Sequence, residues 1–278
     1  MASPAAVGGG QSAGFLLMDL HTHTAASDGQ GSVRDVLQAA AARGLSAVAV
    51  TDHFMDGRRP AISESRLLAL VRVARRHPLP GYPVLLAGAE VEAHTEIPAA
   101  LARRLDVLIR SVHSIPGAPE ALWAAERWER YKEGIIRAIQ MPHTTILGHV
   151  EGYLPLPVGV GENTTFAERR ALEREVARRF FDEAFQEAVA GAAKAAGVAV
   201  ELHVATQTPR PDFVRRLVRA GAYLSVGSDA HAPDRVGDVT WAYELIRELG
   251  VPKELLYVPP RLQPARHPVE ARGGQAAC

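Results

Sequence analysis

Seven times along the chain an apolar, strand-like run ends on residues able to bind a metal. The endings are His21-Thr22-His23, Asp52-His53, Glu90, His113, His149, Glu201-Leu202-His203 and Asp229-Ala230-His231. His21 and His23 stand two residues apart in an extended segment, so their imidazoles share a face and can reach one ion together. Asp28 follows on the next turn. Side chains at the carboxyl ends of parallel barrel strands converge on one mouth, and the set therefore reads as the centre of a metallohydrolase. Of 11 histidines, only His77, His94, His143 and His267 fall outside it; these read as surface or satisfied buried residues.

Ligands drawn from seven separate segments need a scaffold that gathers strand ends. Strand-like and helix-like runs alternate from Phe15 to about Leu249, the signature of repeated βα units around a parallel sheet. The candidate strands are Phe15 to Leu20, Ala47 to Thr51, Pro83 to Ala89, Asp106 to Val112, Thr144 to Gly148, Val198 to Val200 and Ala222 to Gly227. Several are almost continuously apolar, as strands covered on both faces are. Ser32 is placed to cap a helix running to Arg43 with Gly44 past its end, and Ser63 precedes a helical stretch from Arg66 to Arg76.

Two helical insertions exceed what a βα unit needs. Glu120 to Gln140 carries Trp128, Tyr131, Ile135 and Ile139 at helical spacing, and Thr164 to Ala196 carries Leu172, Val176, Phe180, Ala184 and Ala188 likewise. Both stripes are expected to face the core. The charged face of the second, with Glu168, Arg169, Arg170, Glu173 and Arg174, is expected to be a solvated surface laced with ion pairs.

With 278 residues, 47% hydrophobic and 22% charged, the chain suffices for one α/β barrel in a single domain, residues 15–258. The segment 1–14 reads as a flexible leader, without the basic start and apolar core of a signal peptide. The tail 259–278, rich in Pro, Arg and Gly, reads as irregular. No run approaches the ~18 to 20 apolar residues of a membrane span, and the sole cysteine is Cys278. A cytoplasmic enzyme with no membrane partner is the expectation. The formal charge is zero and the pI about 7.2, whereas nucleic-acid domains tend above ~9. Bulk electrostatics thus point to a small substrate and give little support to a nucleic-acid surface.

The run Asp19-Leu20-His21-Thr22-His23-Thr24 through Ser27-Asp28-Gly29, with Thr51-Asp52-His53, Ser111-Val112-His113-Ser114, Gly148-His149 and Gly227-Ser228-Asp229-Ala230-His231, resembles the polymerase and histidinol phosphatase (PHP) family. The similarity extends over most of Phe15 to Leu249 and is greatest to the small free-standing phosphoesterases. The resemblance implies an α/β fold, a distorted (β/α)7 barrel, holding up to three divalent metals: manganese, iron or zinc. Carried over by position, His21, His23, Glu90 and Asp229 would hold the first metal. Glu90 would bridge to a second, held by His113 and His149, and Asp28, His53 and His231 would hold the third. Some relatives have histidine where this chain has Asp28, which makes the third site harder in character and suited to manganese or iron. Many relatives read Glu-x-Asn where this chain has Glu201 and His203, a departure that leaves the role of His203 open.

Three divalent ions would bring six positive charges, which three carboxylates and a bridging hydroxide reduce to two, matching a phosphate monoester dianion. A purely structural cluster of three acids and six histidines would leave its carboxylates and imidazoles short of partners. The expected activity is hydrolysis of a small phosphate monoester, histidinol phosphate or a similar metabolite, by metal-activated hydroxide attack on phosphorus. Glu90 would set the metal bridge. His203 is a candidate to protonate the leaving alcohol, and Asp52 a candidate acceptor for a ligand histidine or a helix cap. Arginine is this chain's default cation, with only three lysines among 31 basic residues, so position decides which could clamp phosphate. Arg235, Arg210 and Arg58 follow strands on the functional side, Arg235 foremost because it stands four residues past His231.

The alternative is a nucleotide phosphatase, phosphodiesterase or exonuclease of the same family. An amidohydrolase-type enzyme would need only one or two metals, and a silent binding domain would not need every ligand position filled.

Overall fold

The computed structural model describes residues 15–57, 59–76, 80–160 and 164–263. Seven strands form one parallel sheet in sequence order: β1 (Met18–Asp19), β2 (Ala47–Val50), β3 (Val84–Glu92), β4 (Val107–Ser111), β5 (Ile146–Leu147), β6 (Ala199–His203) and β7 (Tyr223–Gly227). The sheet curls back on itself. Leu20 N–H donates to Val226 O, Asp229 N–H to His21 O and His23 N–H to Ala230 O, each at 2.9 Å, so the first and last strands are joined beside the ligand residues. This is the (β/α)7 barrel expected from the sequence.

Alternation along the strands divides two cores. Ala47, Ala49, Leu86, Val107, Ile109, Ile146 and Ala199 fill the barrel interior, while Val48, Val50, Leu85, Leu108, Leu147 and Val200 pack outward against the helices. Continuing the inward phase leads from Leu86 to Glu90, from Ile109 to Ser111 and His113, and from Ala199 to Glu201 and His203. The apolar interior thus gives way to polar ligands at the carboxyl ends of the strands.

The helices are α1 (Val33–Ala42), α2 (Glu64–Arg76), α3 (Ala99–Ala102), α4 (Ala125–Gln140), α5 (Phe166–Phe180), α6 (Glu183–Ala196), α7 (Pro211–Ala220) and α8 (Thr240–Glu248). Ser32 and Asp35 close a capping box on α1, and Gly44 past its end adopts φ 68°. Ser63 Oγ accepts the Arg66 N–H at 3.4 Å. The α4 stripe of Trp128, Tyr131, Ile135 and Ile139 is buried as expected. Among the described residues, no helix is long and apolar enough to cross a membrane.

The second insertion departs from expectation. Thr164 to Ala196 is two helices, broken at Phe181 and Asp182, where Asp182 Oδ1 accepts the Phe185 N–H at 2.9 Å and caps α6. The break resets the helical phase, so Ala184 and Ala188 are exposed while Phe185, Val189 and Ala193 are buried. The charged face of α5 is not wholly solvated either. Glu173 is fully buried, paired with Arg170 and, at 3.1 Å, with Arg169, and its Oε1 accepts the Leu154 N–H at 3.0 Å. The carboxylate is charge-paired with both arginines and, through Oε1, fixes the loop after β5 rather than facing water.

The segment 1–14 and the tail beyond Gln263 lie outside the described residues. Where the tail begins, Arg261 donates to Leu85 O at 2.9 Å.

Candidate metal centre

All nine candidate ligands meet at the mouth. They form three groups, each with ligand atoms within 4.8 Å of one another: His21, His23 and Asp229; His23, Asp28, His53 and His231, which shares His23 with the first; and Glu90, His113 and His149. Glu90 joins the groups. Its Oε1 lies 3.3 Å from His113 Nε2 and 3.1 Å from His149 Nε2, and its Oε2 lies 3.4 Å from His21 Nε2, 3.5 Å from His23 Nε2 and 3.1 Å from His53 Nδ1. Asp229 Oδ1 lies 3.0 Å from His23 Nε2 and 3.4 Å from His21 Nε2. Asp28, the outermost acid, lies 3.3 Å from both His53 Nε2 and His231 Nε2.

These side chains fit divalent cations. Spacings of 3.0 to 3.5 Å are the edges of a coordination polyhedron whose ligands stand about 2.1 Å from a shared ion. Asp229 Oδ1, His53 Nδ1 and His23 Nδ1 are buried without hydrogen-bond partners among the described residues, a cost that a shared cation would relieve. His21 and His23 bring two imidazole nitrogens within 3.1 Å of each other.

The acids and imidazoles of the cluster favour one another's charged forms against the cost of burial. Burial opposes every charge here, yet the imidazoles hold Glu90 and Asp229 well below the usual carboxylate range. Burial likewise works against a charged His21, but Glu201, Asp229 and Glu90 raise it well above an ordinary histidine. His113 is lowered instead, burial outweighing the Glu90 charge.

A second ring of residues orients the first. Glu201 Oε1 faces His21 Nδ1 at 2.8 Å while Oε2 accepts the His149 N–H at 2.9 Å. Ser111 donates to Glu90 Oε1 at 2.6 Å, and Glu92 Oε1 accepts the His113 N–H at 3.1 Å. Two glycines make room. A Cβ at Gly227 would overlap Glu201 Oε1 and stand 2.6 Å from His21 Cβ, and one at Gly148 would overlap Ser111 Oγ. Asp229 sits in the left-handed region at φ 53°, a strained backbone of the kind that gathers at functional sites.

His203 and Asp52 belong to this outer ring. His203 is fully buried, with Nδ1 2.6 Å from Thr206 Oγ1 and Nε2 3.1 Å from Asp229 Oδ2. Both ring nitrogens are engaged within the protein. Asp52 is spent on neither His53 nor a helix cap. It accepts from Thr24 N–H and Thr24 Oγ at 2.7 Å and from Ser27 Oγ at 2.6 Å, fixing the turn that presents Asp28.

The arginines sort differently from expectation. Arg210 is not brought to the mouth: its N–H donates to Glu151 at 2.8 Å, its Nε pairs with Glu151 at 3.3 Å, and it donates to Phe181 O. Arg235 is exposed and paired with Asp238 at 3.1 Å, on a cavity that also touches His231. Arg58 lies outside the described residues. The cations that line the mouth, a cavity of about 510 Å³, are Arg59 and Arg169. Arg59 was hidden among the chain's many arginines; Arg169 looked like helix surface because nothing in the helical period marks a side chain that reaches across a loop. His94 and His143 are exposed, apart from the cluster, and His77 and His267 lie outside the described residues.

The PHP domain profile matches residues 19–203. A protein named "Probable phosphatase" from Acetivibrio thermocellus is 26% identical over 255 residues, covering 87% of this chain and 90% of its own length. A second, from Caldanaerobacter subterraneus subsp. tengcongensis, is 26% identical over 255 residues, covering 87% and 86%. Among solved structures, histidinol phosphate phosphatase from Lactococcus lactis, complexed with zinc, L-histidinol and phosphate, matches with a TM-score of 0.60 at 16% identity, over 86% of this chain and 95% of that one. At that identity the likeness is one of fold.

Proposed function

The chain belongs to the PHP domain family, and on that premise we propose that this metal-dependent phosphoesterase hydrolyses small phosphate monoesters, with a histidinol phosphate-like metabolite its first candidate substrate. One observation carries the reading: Glu90 divides its two oxygens between ligand groups, Oε1 towards His113 and His149, Oε2 towards His21 and His23. A shared carboxylate of this kind suits adjacent cations, and the group of His23, Asp28, His53 and His231 supports a third. Divalent ions held there would supply Lewis acidity, making water nucleophilic near neutral pH and offsetting charge on the phosphoryl oxygens.

The chain's own residues prepare the rest. Glu201 and Ser111 hold His21 and Glu90 in one orientation, so little reorganisation is needed as charge develops. Arg59 and Arg169 face the cavity above the cluster, where guanidinium groups can grip phosphoryl oxygens. Asp28, half-buried at the rim, is the acid nearest incoming substrate. We assign His203 to orienting Asp229 and Asp52 to orienting the Thr24–Asp28 turn, and place Arg235 on the leaving-group side.

The balanced charge of the whole chain favours a small ester over a nucleic acid. The testing experiment is orthophosphate release by manganese-loaded protein across histidinol phosphate, sugar phosphates and mononucleotides. Strong release from one monoester supports the reading and identifies the leaving group; release from diesters or nucleic-acid ends alone would replace it.

A further inference from the structure

The turn after β5 is pinned at nearly every residue. Gly152 N–H donates to His149 O at 2.8 Å, Glu151 binds the backbone and side chain of Arg210, and Val150 O accepts the Tyr131 hydroxyl at 3.0 Å. Leu154 donates to Glu173 at 3.0 Å and accepts from Arg169 at 2.8 Å. Gly152 approaches the loop after β6 so closely that a Cβ would overlap Thr206 Oγ1 and stand 2.9 Å from Thr208 Oγ1. In the midst of these anchors, Tyr153 adopts a left-handed backbone at φ 46°. A bulky residue holds that conformation only where its surroundings over-determine it.

The Tyr153 hydroxyl takes no part in this anchoring. Its ring stands edge-on to His149 and His203, with centroids 5.9 and 5.2 Å away, and the hydroxyl has no hydrogen-bond partner among the described residues. Two cavities meet at the ring. One, of about 510 Å³, covers the ligand cluster and carries Arg59 and Arg169. The other, of about 450 Å³, runs past Phe166, Val204 and Ala205 towards Arg235. Tyr153, Asp229 and His231 line both. Phe166 is 56% exposed, an aromatic face beside an otherwise charged rim.

We propose that Tyr153 is a substrate-contacting residue whose hydroxyl donates a hydrogen bond to the ester oxygen of a phosphate monoester. The phosphoryl group lies in the arginine-lined cavity, and a leaving group with an apolar or aromatic face lies along Phe166, Val204 and Ala205. This rests on the phosphatase reading above. The ester oxygen joins the two halves of such a substrate, so it falls where the two cavities join. A donor there stabilises the negative charge that this oxygen gains as the P–O bond lengthens. An alkoxide leaving group depends on that donor far more than a nitrophenolate, which carries its charge unaided.

Tyr153→Phe keeps the ring packing and removes the hydroxyl. Metal-loaded wild type and variant are compared on phenethyl phosphate, glycerol phosphate and p-nitrophenyl phosphate, with inorganic phosphate as competitive inhibitor. The expected result is a kcat for phenethyl phosphate at least about 30-fold lower, with less than about 5-fold change for p-nitrophenyl phosphate. Inhibition by phosphate should be unchanged. Phe166→Ala should raise KM for phenethyl phosphate about 5-fold, the loss of one aromatic contact, and leave that for glycerol phosphate in place. Equal losses on alkyl and nitrophenyl esters, or weakened phosphate inhibition, would overturn the assignment, as would an unaltered Tyr153→Phe enzyme. A wild type inactive on every monoester would instead overturn the phosphatase reading on which it rests.

Discussion

Glu201 Oε1 stands 2.8 Å from His21 Nδ1, and through its other oxygen the same carboxylate holds the His149 backbone. One buried acid therefore orients ligands from two strands, and at His21 it leaves Nε2 turned towards Glu90 and Asp229.

Glu201→Gln keeps the shape and removes the charge. Loss of an outer-ring acceptor of this type costs about 10- to 100-fold in metal affinity, so chelator competition should show a loss in that range with the far-ultraviolet circular dichroism preserved. An unchanged affinity would reduce Glu201 to a space-filling role.

Glycines separate site from scaffold. Gly227→Ala forces a Cβ against Glu201 and His21, and overpacking of this kind costs about 1 to 3 kcal/mol. Gly191→Ala, inside α6 with nothing within 4 Å of the added Cβ, should stabilise by roughly 0.5 to 1 kcal/mol through helix propensity. Urea midpoints of the two variants should therefore move in opposite directions; a tolerated Gly227→Ala would contradict the close approach that builds the site.

His231 links the centre to pH. Burial opposes its charge, but Asp28 and Asp229 push its pKa up to about 9 in the metal-free protein. That lies above the unfolded value of about 6.5, so its contribution to metal-free stability is complete below about 6.5 and is lost as pH rises through about 9. Metal binding needs the neutral ring and runs the other way. Calorimetric titration with manganese should show affinity rising with pH towards 9, with protons released to the buffer. A pH-independent affinity without proton release would contradict this placement.

Arg59 tests the phosphate side. It lines the mouth and is half-exposed, so Arg59→Ala should leave the fold intact and raise KM about 10-fold, the value of one charge-assisted contact. Arg210→Ala, whose partners are Glu151 and Phe181 O, should lower the unfolding temperature instead. A KM effect at Arg210 alone would reverse the assignment.

The cluster was legible because the β-strand period is so short. His21 and His23 had to share a face, and every other candidate except Asp28 closed an apolar run, so parallel pairing carried those to one mouth; Asp28 arrives on the turn that Asp52 holds. Residues acting across elements were not legible. Nothing local to Glu201 or Asp52 reveals that one reaches His21 and the other Thr24 and Ser27, and Arg169 and Glu173 share the composition of an exposed helix face while packing against the β5 loop. The split between α5 and α6 lay in a single residue, Asp182, whose capping role was hidden within a long run of good helix formers. Tyr153 carried no motif at all; its place depends on a left-handed turn that only the folded loop imposes.

The proposed phosphatase activity requires that Asp229 and its neighbours hold metal. Metal content and orthophosphate release are therefore to be measured on the same samples of wild type and Asp229→Ala. The wild type should carry more than one divalent ion per chain and release orthophosphate, while the variant keeps its fold, loses metal and loses turnover by at least about 100-fold. A folded Asp229→Ala protein that still hydrolyses the same ester at the wild-type rate would contradict it.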